Sequence, residues 1–211
     1  MPGNRSEAAS RELRRQLGEL DIYLFDQLLR GRLDAARRIL DAGCGTGRNL
    51  VYFLRAGLEV HGVDRDPGAI MRARALGAEI APRLPQENFV LGELDALPWE
   101  DRSMDAVLCC AVLHFASDES HFGRMLEEMW RVLDADGLFF ARLASVIGLE
   151  VPVVLDENRR GSLPDGTERF LVDEDLLLRW SARLGATLLD PIKTTNVQNR
   201  RCMTTWVLRK P

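Results

Sequence analysis

At 211 residues and 46% hydrophobic content, the chain is long enough for one domain with a full core, and a second domain would not fit beside a complete doubly wound sheet. Its 28 Lys and Arg against 32 Asp and Glu give a formal charge of −4, which weighs against a large nucleic-acid footprint. No apolar run approaches the ~20 residues of a membrane span, and Met1 to Ser10 is polar with no signal-peptide core, so a cytoplasmic protein without a membrane partner is expected.

Residues 10–36 repeat Leu13, Leu17, Leu20, Tyr23, Leu24 and Leu28 at intervals of three and four, which predicts a helical cap over 1–36. The chain then alternates between strand over 38–42, helix over 47–56, strand over 58–64 and helix over 67–77, the last with Asp66 as N-cap and Pro67 at its first position. Strands over 88–93 and 104–111 follow, then a helix over 118–133 and a strand over 137–144. In that helix Phe122, Met125, Leu126, Met129, Trp130 and Leu133 make one core-facing stripe behind Ser117 as N-cap. This alternation predicts a parallel sheet with right-handed crossovers. Pro152, Gly161, Pro164 and the Asp165-Gly166 turn signal break the pattern over 145–171, which reads as an inserted hairpin or lid. Residues 172–211 supply a last helix from Asp173 to Gly185, an apolar run over 186–192 and a final strand from Cys202 to Leu208.

The densest signal is Asp41-Ala42-Gly43-Cys44-Gly45-Thr46-Gly47-Arg48-Asn49, where an apolar strand meets an acid and then glycines at every second position. Glycine lets a chain turn sharply and lets a ligand lie against the main chain, so a nucleotide-like cofactor is implied. The dinucleotide fingerprint places two residues between its second and third glycines and opposes a pyrophosphate. Here the third glycine comes one residue early, position 48 is arginine, and Asp41 would repel a phosphate, all of which disfavours NAD and FAD. An acid in that place tolerates an ammonium and a sulfonium, which S-adenosylmethionine carries. The second anchor is Asp64, ending an apolar run about 20 residues past the glycines, where a carboxylate can accept both ribose hydroxyls.

These two sites resemble the first motif and the end of the second strand in class I S-adenosylmethionine-dependent methyltransferases. Gly92-Glu93-Leu94-Asp95-Ala96-Leu97-Pro98 is similar to that family's acidic loop after strand three, with Glu where Asp is usual, so Glu93 and Asp95 compete for the adenine amino group. The likeness runs on through Met104 to Phe115 and Arg131 to Gly137, covering residues 37–144 as a cofactor-binding core. It implies a single Rossmann-like α/β domain over 1–211, with a doubly wound, mostly parallel seven-stranded sheet and an antiparallel last strand. It also implies cofactor contacts from Asp41, Gly43, Cys44, Gly45, Gly47, Arg48, Asn49, Asp64, Arg65, Glu93, Leu94, Asp95 and Ala111. Gly47-Arg48-Asn49 and the ending Trp206-Val207-Leu208-Arg209-Lys210 resemble the small-molecule branch that includes tellurite-resistance methyltransferases. The implied activity is methyl transfer to a small acceptor, anionic, thiol or metalloid, by a monomer or homodimer; the alternative is a module that binds the cofactor or its demethylated product without turnover.

Acceptor residues are expected at the carboxyl edge of the strands. His114 after strand four is the candidate catalytic base, against a packing role, and it doubles with Tyr23 and Arg142 as an acceptor contact. Arg142 on a buried strand needs either an ion-pair partner or a ligand. The segment Lys193 to Arg201, read as a connection between the last two strands, adds Asn196, Asn199, Arg200 and Arg201. Cysteines 44, 109, 110 and 202 lack metal-type spacing, so free thiols and no metal are expected.

Overall fold

The computed structural model describes residues 3–211. Two helices lead, α1 (Gly3–Leu17) and α2 (Ile22–Leu29), separated where Gly18 takes a positive φ of 62°. Asp21 starts α2 by accepting the Tyr23 N–H at 2.9 Å, an N-cap that satisfies one of the orphan donors of a helix start.

The core alternation follows as β1 (Arg38–Ala42), α3 (Val51–Arg55), β2 (Glu59–Asp64), α4 (Pro67–Ile80), β3 (Phe89–Leu91), β4 (Met104–Cys110), α5 (Glu119–Val132) and β5 (Leu133–Ser145). A hairpin of β6 (Arg160–Ser162) and β7 (Glu168–Phe170) occupies the insertion, and α6 (Glu174–Arg183), β8 (Thr187–Leu188), β9 (Lys193–Val197) and β10 (Arg201–Arg209) complete the chain. Strand order is β3-β2-β1-β4-β5-β10-β8, with β9 also on β10. Strands β1 to β5 pair in parallel and β10 runs antiparallel to β5, as the resemblance implies.

Four boundaries depart from the sequence reading. The helix expected over 47–56 starts only at Val51, because Gly47 is held at φ 88°, outside the helical region. Asp118, not Ser117, caps α5, its carboxylate accepting the His121 N–H at 2.7 Å. Leu133 closes the apolar stripe of α5 yet already belongs to β5. The sheet has eight strands, since the one beside β10 is split into β8 and β9 around Asp190 and Pro191. Proline has no N–H for the ladder, and Asp190 turns away to the Arg32 guanidinium at 2.7 and 2.9 Å.

As a result, Lys193 to Arg201 is a β-hairpin and not a loop. Gln198 and Asn199 both take positive φ at its tip, the backbone of a type I′ turn that matches strand twist. Because Cys202 pairs with Ser145 at the carboxyl end of β5, the tip projects over the edge where ligands bind such sheets.

Apolar residues fill both sheet faces. Phe122, Leu126, Met129, Trp180 and Trp206 cluster under α5 and α6, and Leu24, Leu50, Phe53, Ile70 and Ala73 under α2, α3 and α4. The Met and Trp residues of α5 therefore pack the core. All four cysteines are buried and free. Among the described residues no helix is long and apolar enough to cross a membrane, and no group of three His, Cys, Asp or Glu is placed to hold a metal.

Candidate functional site

A cavity of about 470 Å³ opens at the carboxyl ends of β1, β2 and β4. Its walls are the glycine turn from Gly43 to Thr46 with Arg48 and Asn49, Asp64 and Arg65, Gly92 to Leu94, Cys110 to Val112 with Phe115, and His121 and Met125 from α5.

Two glycines shape the turn for opposite reasons. At Gly43 a Cβ would lie 2.3 Å from Val112 Cγ2 at a backbone φ of 80°, so the close approach of β1 to the loop after β4 requires its absence. At Gly45, with φ 53°, no atom lies within 4 Å of where a Cβ would be. That side is open, and Gly45 is itself part of the cavity wall. Asp64 is fixed behind it: one carboxylate oxygen accepts the Gly45 N–H at 2.8 Å and the other the Asp66 N–H at 3.0 Å. Each oxygen keeps a second lone pair for a hydroxyl.

Asp41, next to last in β1, lies behind the turn and outside the cavity wall, and both of its carboxylate oxygens are buried without a hydrogen-bond partner. Burial pushes its carboxyl up to about 7; the Arg48 guanidinium pulls it down in part and the Asp64 charge adds to the rise. A buried carboxylate with no protein partner is suited to meet a cation.

The two acids after β3 separate. Glu93 lies in the cavity wall, whereas Asp95 faces α5, its Oδ2 3.5 Å from Arg124 Nε and 4.0 Å from His121 Nε2. Leu94 is buried beside Glu93 in the same wall, and Ala111 lies opposite with a positive φ of 63°, its N–H donating to the Arg142 carbonyl at 2.7 Å.

The structure corrects the role given to His114. The residue is 6% exposed and lies outside the cavity wall, and its Nδ1 accepts the Ala144 N–H at 3.3 Å. A ring that accepts at Nδ1 carries its proton at Nε2 and has no lone pair left to take another. Burial, with a smaller push from Arg169, lowers its pKa to about 4, so it stays neutral at physiological pH. It is a packing histidine.

The hairpin residues are also spoken for. Asn196 donates to the Gly148 carbonyl at 2.7 Å and to Asn199 at 2.5 Å, Asn199 donates to Glu150 at 2.8 Å, and Arg201 stands 3.9 Å from Asp165. These contacts pin the hairpin tip to the insertion. None of Asn196, Asn199, Arg200 and Arg201 lines the cavity.

Tyr23 and Arg142 instead meet around a residue that the sequence reading missed. Asp21, 1% exposed at its side chain, accepts Arg142 Nη1 at 2.6 Å, lies 3.8 Å from Arg48 Nη2, and donates its own N–H to Asn49 at 3.1 Å. The Arg142 guanidinium lies 5.0 Å from the centre of the Tyr23 ring, and the Tyr23 hydroxyl is bonded to Thr195. An acid directly ahead of the apolar run Ile22 to Leu24 is an N-cap signal that could have singled out Asp21.

Comparisons with known proteins agree with this geometry. Residues 40–141 match the family described as methyltransferase domain. That stretch, just under half of the chain, is similar to a methyltransferase domain. An uncharacterized methyltransferase of Mycobacterium tuberculosis is 36% identical over 103 residues, 49% of this chain and 38% of the relative. The malonyl-[acyl-carrier protein] O-methyltransferase of Halorhodospira halophila is 35% identical over 140 residues, 63% of this chain and 44% of the relative. The chain thus spans less than half the length of those curated relatives. Its fold matches the 1,6-didemethyltoxoflavin-N1-methyltransferase of Burkholderia thailandensis, solved with bound 1,6-didemethyltoxoflavin and S-adenosylhomocysteine, with a TM-score of 0.67 at 21% identity, covering 96% of this chain and 83% of the other.

The residues present fit the cofactor that the resemblance implies. S-adenosylmethionine carries a ribose diol suited to the free lone pairs of Asp64, an adenine suited to the Glu93–Leu94 wall, and cationic groups that suit the unpartnered carboxylate of Asp41 behind the turn.

Proposed function

We propose that this chain is an S-adenosylmethionine-dependent methyltransferase that binds its cofactor in the cavity at the glycine turn and passes the methyl group to a small-molecule acceptor arriving from the side of Asp21, Tyr23 and Arg142. The observation that carries this reading is the cavity at the glycine turn, where Asp64, fixed by the Gly45 and Asp66 N–H groups, keeps a free lone pair on each carboxylate oxygen.

The cofactor supplies an activated sulfonium methyl, so the protein's tasks are to align the nucleophile and exclude water. Asp64 and Glu93 hold the nucleoside end, while Arg48, Asn49 and Cys110 to Val112 form the wall nearest the Asp21 cluster. His114 is neutral with its accepting nitrogen occupied, and His121, the histidine in the cavity wall, likewise spends Nδ1 in accepting the Ser117 N–H at 3.2 Å. The reading therefore favours acceptors that attack as they stand: a carboxylate, a thiolate or a metalloid lone pair.

Calorimetry with S-adenosylhomocysteine and with NAD tests the proposal. S-adenosylhomocysteine should bind, NAD should not, and Asp64→Ala should cost at least about tenfold in affinity, since hydrogen bonds to a charged acceptor are worth ~1.5 to 3 kcal/mol. Binding of NAD without S-adenosylhomocysteine would overturn it.

A further inference from the structure

We infer that the Arg142–Thr205 pair, roofed by Tyr23, is the anchor for a carboxylate on the acceptor, which makes the acceptor a small carboxylic acid. This inference rests on the methyltransferase reading and adds the substrate class to it.

The argument starts from register. Cys110 pairs with Arg142, Arg142 with Thr205 and Thr205 with Lys193 across four adjacent strands. Directly paired residues share a sheet face, so these side chains form one row stepping about 4.8 Å per strand. Cys110 at the head of the row is in the cavity wall, which places Arg142 a single strand spacing from the cofactor's chamber.

Two polar groups in this row are buried and lack partners: Arg142 Nε and Thr205 Oγ1, the latter on a residue only 6% exposed. Arg142 spends Nη1 on Asp21, and that bond turns the opposite edge of the guanidinium, with Nε, away from Asp21. That edge offers two parallel N–H groups, the fork that matches the two oxygens of a carboxylate. Thr205 beside it supplies a hydroxyl that can donate to the same anion.

Charge favours an anion as well. Arg142, Arg48 within 3.8 Å of Asp21, and Lys193 at 5.8 Å from the Tyr23 ring outnumber the carboxylates near them, Asp21 and the Asp41 that shares Arg48, so the balance is positive. Asp21 is thereby a positioning residue. The Tyr23 ring, held by its hydroxyl on Thr195, packs 5.0 Å from the Arg142 guanidinium and restricts its movement.

The test is a saturation-transfer NMR screen on protein saturated with S-adenosylhomocysteine, using small aromatic and aliphatic carboxylic acids together with their primary amides. Acids should bind and their amides should not, and Arg142→Gln should weaken the acids by about ten- to a hundredfold while S-adenosylhomocysteine affinity, measured by calorimetry, is retained. Arg142→Lys keeps the charge and the Asp21 partner but loses the fork, so it should fall between the two. Thr205→Val removes an unpaired buried hydroxyl, so it should raise the melting temperature while still weakening the acids; a purely structural threonine would not produce that combination. Equal binding of acids and amides, no acid binding at all, or acid binding that survives Arg142→Gln would each overturn the inference. Failure of S-adenosylhomocysteine to bind would instead refute the methyltransferase reading, and the two outcomes are measured separately.

Discussion

Replacing Asp41 with Asn should make the free protein more stable at alkaline pH and the cofactor complex weaker. The wild-type carboxyl is raised from 3.8 to about 7 by burial without a partner. Between those values the folded protein holds a proton that the unfolded chain has released, so stability falls as pH rises, and the penalty is complete above about pH 7. At about 1.4 kcal/mol per unit, the part of this loss lying between pH 5 and pH 8.5 is about 3 kcal/mol. The side-chain amide of the variant is neutral throughout and has the same shape, while every other titrating group is common to both proteins. The measurement is urea unfolding of wild type and Asp41→Asn at pH 5, 6, 7 and 8.5. The stability difference should shift toward the variant by about 3 kcal/mol across that series, with most of the change below pH 7. Calorimetry at pH 8 should show S-adenosylmethionine affinity lower in the variant, because the buried site has lost its countercharge for the ammonium and sulfonium. In wild type that affinity should drop as pH falls below about 7 and Asp41 is protonated. A stability difference that stays flat with pH would refute the buried-charge argument, and unchanged affinity would remove Asp41 from the site.

Glu93→Gln should weaken S-adenosylhomocysteine binding and Asp95→Asn should leave it near wild type, because Glu93 is in the cavity wall and Asp95 faces Arg124; calorimetry on the pair checks the assignment. His114 should show no titration of its ring signals between pH 5.5 and 8 by NMR, since its folded pKa lies at about 4. Its protonation on unfolding instead makes stability fall as pH drops from 6.5 toward 4, by up to about 3 kcal/mol, and His114→Gln should flatten that part of the profile.

What the sequence disclosed was local. The strand over 38–42 ended where it was expected because an apolar run meets glycines, and Asp173 capped α6 through the Leu176 N–H as its pattern promised. Asp64 was legible because its offset from the glycine turn is a chain property. Tyr23 and Arg142 were named from the sequence as acceptor contacts, but Asp21, which joins them, was hidden because the cluster is assembled over long separations: Asp21 meets Arg142 across 121 positions and Tyr23 meets Thr195 across 172. Polar density misled over Lys193 to Arg201, where Asn and Arg residues that look like ligand donors are consumed in tying a hairpin tip to the insertion. His114 shows the same limit, since its neighbour in space is a backbone amide thirty residues away.

The double duty of Asp21 joins two processes that are usually separable. One oxygen starts α2 and the other fixes Arg142, so the guanidinium adopts its working orientation only when the helix is wound. Unwinding of α2 would release Arg142 and lift Tyr23 together, and it would also strip Asn49 and Arg48, just past the glycine turn, of their Asp21 partner. The winding of eight residues therefore sets both the proposed acceptor side and the adjoining end of the cavity wall.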